Sequence, residues 1–423
     1  MLTETIRTIN NHSYPTQVGC FVFISSCFDV WGGSEELLAA TAKYLKQQGH
    51  EVHVFKLQIS DHPRILELQA AGVKVIALNS LRLMGIKHFV FKCIYHLVRL
   101  LKFLPLPASW YFIHTDPQRT FILQTLRRIK PSLVVISQGD NFDGLNYGDI
   151  CLELKLPYVM LSHKASHHIW PVDALRPMMR KVFQQAKRCF FVSEHNLFLT
   201  QMQLGQGLSH AEVVRNPYLT SATESLPWPE IKDNCFKLAC VGRLWLVDKG
   251  QDILLEVLAQ EKWKYRNLQV SFFGEGANRD TLIDMANLLG LKNVNFPGFV
   301  ENIESVWQDY HALILPSRAE GLPITLVEAM MCGRIAITTN VGGIPEVLED
   351  NITGFIAKGT SFAAIDEALE RAWQRSDEWE NMGTQASISI RKQIPKDPER
   401  LFADKLLQLS TLEVNSAHKG ART

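Results

Sequence analysis

Residues 311–338 read HALILPSRAEGLPITLVEAMMCGRIAIT. His311–Pro316 is an apolar run of strand length, and Ser317–Leu322 is polar with a glycine in it. Thr325–Met331 is a short helix closed by Gly333. Pro323 suits the first helical position, where its missing N–H is one that lacks a partner anyway. Ile335–Thr338 is the next strand. Strand, loop, helix, strand is the repeating unit of a parallel α/β sheet.

Two carboxylates stand out in this unit. Glu320 lies in the loop before the helix, and Glu328 lies inside it among Val327, Ala329 and Met330. Such a loop sits outside the carboxyl ends of the strands, where parallel sheets bind ligands. The helix N-terminus offers free N–H groups and a positive dipole end, which favour phosphate. A carboxylate there repels phosphate and instead accepts hydrogen bonds from hydroxyls, as on a sugar or ribose. Phosphate and hydroxyls together suggest a sugar nucleotide. A single glutamate in either place is ordinarily a solvated side chain; the pattern around the two decides. EG-x-P-x4-E-A-x3-G resembles the paired-glutamate signature of the retaining glycosyltransferases of family 4, the glycosyl transferases of group 1, which have the GT-B architecture.

The same βα rhythm runs from Phe236 onward, and two turns in it carry candidate residues. In VGRLWLVDKGQD, Arg243 leaves a strand end and Lys249 opens a helix, so both cations would converge on one crevice and neutralise a diphosphate without metal. The frame resembles the family's diphosphate-binding pair, with five residues between the cations where many members have four. In FFGEGANRD, Gly274 and Gly276 bracket a turn that resembles the family's G-x-G beneath the nucleotide. NVGGIPE (340–346) and Gly354 fit the family pattern and read equally well as architecture.

The amino half begins the rhythm with the strand GCFVFISS (19–26), the turn CFDVWGGSEE, a helix over Leu37–Gln48 and a strand over Glu51–Leu57. Gly32 and Gly33 would let the backbone approach a ligand phosphate ahead of that helix. The turn resembles the family's amino-terminal glycine loop. It lacks G-x-G-x-x-G, which argues against a nicotinamide enzyme. Further strands are expected at Val73–Leu78, Leu133–Ser137, Tyr158–Ser162 and Arg188–Val192, making a doubly wound sheet. PYVMLSHKASHH (157–168) places His163 at a strand end. The family carries a histidine near the donor sugar here; His163 matches it by position, with His167 or His168 as the alternatives. Three imidazoles without acidic or cysteine partners at ligand spacing do not make a metal site. Asp116 and Asp140 of GDNFD (139–143) are loop acids, and Asp140 sits where it would orient an acceptor hydroxyl. No D-x-D motif holds a metal diphosphate, so neither a metal nor another cofactor is expected.

The whole chain fits this reading. Its 423 residues exceed the size of one core, and 46% hydrophobic with 21% charged residues is globular composition. A net charge of +1 offers nucleic acid no attraction. The eight cysteines form no C-x-x-C pair, which suits buried thiols in a reducing cytoplasm. No apolar run is long enough to cross a bilayer. Residues 82–104 are basic and amphipathic, read either as a solvated helix face or as a peripheral contact with an anionic membrane.

The resemblance implies α/β architecture with two Rossmann-like doubly wound domains facing a central cleft. Residues 1–16 read as a flexible leader, 17–216 as the acceptor domain and 217–235 (rich in Pro, Ser and Thr) as the linker. Residues 236–396 read as the nucleotide-sugar domain, 397–412 as a helix returning to the first domain and 413–423 as a disordered tail. Implied roles are diphosphate stabilisation by Arg243 and Lys249, donor-sugar contact by Glu320 beside Gly321 and Leu322, and ribose binding by Glu328. The implied reaction is retaining, metal-independent transfer of a hexose-type sugar from a nucleoside diphosphate sugar to a glycan or lipid-linked acceptor, in the cytoplasm or on the inner face of a membrane. A nucleotide-sugar epimerase of the same plan and a non-catalytic nucleotide-sugar binder are the alternatives.

Overall fold

The computed structural model describes residues 18–78 and 119–420, the last ten as backbone only. The expected leader, the stretch 82–104 and Asp116 lie outside the described residues.

Apolar strands organise two parallel sheets. In the first, β1 (Cys20–Ser25), β2 (Glu51–Lys56), β3 (Lys74–Ala77), β4 (Leu133–Asp140), β5 (Tyr158–Lys164), β6 (Cys189–Phe191) and β7 (Ala211–Val213) lie in the order β3-β2-β1-β4-β5-β6-β7. All pairings are parallel. Phe21–Ile24 and Leu133–Ile136 are fully buried because helices cover both faces, as a parallel sheet requires. The short β7, Ala-Glu-Val, lacks such a run and is not legible beforehand.

In the second sheet, β8 (Phe236–Val241), β9 (Leu268–Phe273), β10 (Val294–Gly298), β11 (Ala312–Leu315), β12 (Ile335–Thr339) and β13 (Gly354–Ala357) lie in the order β10-β9-β8-β11-β12-β13. Its cores bury Trp263, Trp307 and Trp379 completely. Strand order reverses between β1 and β4 in one sheet and between β8 and β11 in the other, which opens a crevice at each carboxyl edge.

The chain crosses between the sheets twice. The first crossing is pinned to the second domain by Arg334, whose buried guanidinium donates to the carbonyls of Leu226, Pro227 and Trp307. Burial pushes that guanidinium down to about 10. The second crossing leads into helix Pro398–Gly420, which returns to the first sheet. Phe402 packs edge-on to Phe190 with ring centroids 5.0 Å apart, and Lys405 pairs with Glu212 at 2.5 Å. The tail read as disordered from residue 413 is helical to Gly420. No proline interrupts that stretch, and its first glycine is Gly420.

Candidate active site

The two carboxyl edges meet, and glycines permit the approach. A Cβ at Gly321 would lie 1.9 Å from the His163 carbonyl oxygen, and one at Gly33 would lie 3.2 Å from Ile324 Cδ1. Across the same seam Lys164 Nζ reaches Asp248 Oδ2 at 2.6 Å, and Arg215 pairs with Glu346 at 3.1 Å.

β8 ends at Val241, and Arg243 stands two residues on. Its guanidinium forms an ion pair with Asp29, from the loop after β1 in the other domain. Gly274 and Gly276 hold this turn from behind: Cβ atoms there would lie 2.1 Å from the Gly242 oxygen and 2.4 Å from the Leu244 oxygen. Their neighbours are therefore the backbone that carries Arg243. Lys249 closes a single helical turn, Leu246–Lys249, instead of opening the next helix. Gly250 breaks the helix in the left-handed region at φ +62°, where a Cβ would meet the Pro316 oxygen at 2.2 Å. That break returns the lysine to the strand end, with its Cε 3.8 Å from the Cβ position of Gly242.

Lys249 Nζ then lies 2.6 Å from Glu320 Oε1, which also accepts from Ser317 Oγ at 2.7 Å. Glu320 is buried, so the lysine balances its charge. Leu322 is buried behind it in the apolar cluster that includes Leu326.

Glu328 projects from helix Ile324–Met331 toward the first crossing. It is 2% exposed, and its Oε1 accepts from the Leu219 N–H at 2.9 Å. Burial pushes its carboxyl up to about 8, and the charge of Glu36 adds to this. Lys249 and Glu320 thus meet at the β8/β11 crevice, Arg243 stands on the turn after β8 with its guanidinium on Asp29, and Glu328 faces the hinge side of the adjoining helix. A cavity of about 240 Å³ also lies on the hinge side, lined by Trp31, Glu36, Lys43, Arg64, Tyr218 and Lys396 among others.

His163 lies inside β5, which runs to Lys164, and not beyond its end. Burial pushes its imidazole down to about 4 against the pull of Glu35 and Asn216, so it is neutral near pH 7. Its Nε2 is 3.2 Å from Ser137 Oγ. His167 lies on the surface, 3.4 Å from His195 Nε2, and His168 is also exposed. Gly32 is the extended N-cap of helix Gly33–Gln47, which has no side-chain cap. The first turn carries Glu35, whose carboxylate accepts from Ser25 Oγ at 2.9 Å, Ser34 Oγ at 2.8 Å and Lys56 Nζ at 2.8 Å. Lys56 balances the acid that faces this N-terminus. Asp140 pairs with Lys164 at 3.2 Å and so joins the interdomain bridge.

Sequence reasoning missed Asp29, Glu35, Lys56, Lys164, Asp248 and Ser317. Glu35 and Asp29 stood inside the glycine turn, and the other four gave no signal at motif spacing. Among the described residues Cys20, Glu51 and His53 come within metal-ligating distance of one another. They sit at the amino ends of β1 and β2, away from the crevice, and Lys74 Nζ already occupies Glu51 at 2.6 Å.

Two family models match the chain: Glycosyltransferase Family 4 over residues 31–217 and Glycosyl transferases group 1 over residues 224–388. The chain belongs to the family 4 type of GT-B glycosyltransferases, with two Rossmann-like domains. A human phosphatidylinositol N-acetylglucosaminyltransferase subunit is 30% identical over 159 residues, 37% of this chain and 32% of that protein. The putative glycosyltransferase EpsD of Bacillus subtilis is 30% identical over 138 residues, 32% of this chain and 36% of that one. These matches span about a third of the relatives' length. Among solved structures, Anabaena HepE in complex with UDP and glucose has a TM-score of 0.69 at 18% identity, covering 92% of this chain and 99% of that one. Sucrose-phosphate synthase from Thermosynechococcus elongatus has a TM-score of 0.68 at 15% identity, covering 94% and 100%. These likenesses show the fold.

Proposed function

We propose that this chain transfers a hexose-type sugar, with retention of configuration and without metal, from a nucleoside diphosphate sugar to a hydroxyl of a glycan or lipid-linked acceptor. The observation that supports the proposal is the Lys249–Glu320 pair at the β8/β11 switch point, with Arg243 on the turn that follows β8. Arg243 and Lys249 supply positive charge where the departing diphosphate becomes negative. Glu320 accepts hydrogen bonds from donor-sugar hydroxyls, and Glu328 accepts from the ribose once Leu219 yields its place. Backbone N–H groups at the uncapped helix after Gly32 approach the phosphates from the other domain.

In this reading the anomeric carbon loses its bond to the diphosphate oxygen as the acceptor oxygen bonds to the same face. The acceptor proton passes to the leaving phosphate. His163, being neutral, contributes shape and hydrogen bonding, not charge. The names of relatives and the UDP-glucose complex of HepE make UDP-linked sugars the first donors to try. A peripheral membrane contact through 82–104 belongs to the same proposal; liposome sedimentation without dependence on acidic lipid would remove it.

A screen of nucleotide sugars in EDTA, with and without acceptors, tests the reading. Release of nucleoside diphosphate and formation of a glycoside are expected. Complete loss of activity in EDTA overturns the metal-free step. Conversion of the donor into another sugar nucleotide without acceptor would show an epimerase, and binding without any turnover would show a non-catalytic binder.

A further inference from the structure

The end of β5 reaches both members of the Lys249–Glu320 pair through their chain neighbours. His163 and Lys164 are consecutive there. The His163 oxygen abuts Gly321, next to Glu320. The Lys164 ammonium donates to Asp248, next to Lys249, at 2.6 Å. One strand end of the first domain therefore meets the second domain at the two residues that flank the pair.

The Lys164 bridge holds a cation between two acids. Asp140 and Lys164 are register partners at the ends of β4 and β5, and their side chains lie 3.2 Å apart. Asp248 comes from the turn Leu246–Lys249 of the other domain. The Lys164 and Asp248 side chains are 17% and 12% exposed, so water screens this pair little. Burial pulls the ammonium down, but the two carboxylates outweigh it and hold it above the ordinary lysine range. Without that charge, two carboxylates would face each other across the seam and repel.

The backbone of Asp248 has partners of its own. Its carbonyl accepts from the Arg318 N–H at 2.7 Å and the Ala319 N–H at 3.1 Å. The Arg318 guanidinium adds a bidentate pair with Asp252 at 2.8 and 2.6 Å. These contacts lie inside the second domain and tie the turn that carries Lys249 to the loop that carries Glu320. The backbone of Asp248 thus keeps the pair together, while its side chain places the pair against the first domain.

We infer that Lys164 is a positioning residue: it clamps Asp248 to the first domain and so sets the Lys249–Glu320 pair against the edge of the cleft where the acceptor enters. The positioning role rests on the transferase reading, whereas the clamp is a property of the two domains alone.

The test combines steady-state transfer, calorimetric titration of UDP and small-angle scattering of the ligand-free full chain. Lys164→Met is expected to lower kcat by about 10²-fold, since the pair shifts relative to the acceptor. It should enlarge the radius of gyration and leave UDP affinity within about twofold, because the contacts inside the second domain persist. Lys164→Arg keeps the charge and should lose less than about tenfold. Asp248→Asn breaks the clamp from the other side and serves if Lys164→Met does not fold; the double variant should lose no more than the worse single one. Unchanged kcat and scattering in both single variants overturn the inference, as do multiplying losses in the double variant. Equal losses of kcat and UDP affinity would overturn it by making Lys164 a nucleotide ligand. A natural chain without any turnover overturns the transferase reading instead, and scattering still decides the clamp.

Discussion

Lys249 Nζ lies 2.6 Å from Glu320 Oε1, although the two residues belong to turns after different strands. Each is the other's counter-charge at the mouth of the β8/β11 crevice. Because they act as a unit, removing either disturbs both. Lys249→Ala and Glu320→Gln are each expected to lower kcat by about 10²–10³-fold, and the double variant by much less than the product. Steady-state kinetics of the three variants check this; independent, multiplying losses would contradict it.

Arg243 is held by Asp29 across the cleft, with both side chains about half exposed. A diphosphate that binds Arg243 must displace this carboxylate. Asp29→Asn should therefore tighten the binding of free nucleoside diphosphate by a few-fold, roughly the value of one exposed ion pair. Isothermal titration measures it, and weaker binding would show that Asp29 helps to hold the ligand.

Glu328 carries a pH signature. Its carboxyl ionises at 4.5 in the unfolded chain and at about 8 in the folded one. The folded state therefore keeps a proton that the unfolded state releases between those values. This group's contribution to stability is greatest below pH 4.5, falls as pH rises, and levels off above about 8. Glu328→Gln cannot ionise and loses that slope. Its stability relative to the natural chain, measured by denaturant unfolding, should rise between about pH 5 and 8, by a few kcal/mol at most. A difference that stays constant across this range would contradict the buried acid.

Gly321 sets how closely the domains approach. Its absent Cβ would lie 1.9 Å from the His163 oxygen, so alanine forces the edges apart. Arg243 and Lys249, the proposed diphosphate cations, sit on the second domain away from this contact. Gly321→Ala should thus lower kcat by roughly 10²-fold while changing nucleotide affinity little. Loss of both in equal measure would place Gly321 in nucleotide binding itself.

Much of the frame was legible. Buried parallel strands such as β1 and β11 are near-continuous apolar runs, and glycines follow helices such as Gly33–Gln47 and Ile324–Met331. Edge strands were not: β7 has three residues of mixed polarity. Within the site, Arg243 and Glu320 were readable from the turns that hold them. Lys249 reads in sequence as opening a helix and instead closes the turn Leu246–Lys249, ended by Gly250 in the left-handed region at a point where a Cβ would meet the Pro316 oxygen. Asp29, Lys164 and Asp248 act across the domain seam, and no spacing along one strand or helix records a partner on another domain.

The most direct measurement is calorimetric titration of UDP in EDTA into the natural chain and the Arg243→Ala/Lys249→Ala double variant, with Asp140→Ala as the comparison from the first domain. The natural chain and Asp140→Ala should bind UDP with similar affinity, and the double variant at least about 100-fold more weakly. Equal affinity in all three would show that these cations do not hold the diphosphate.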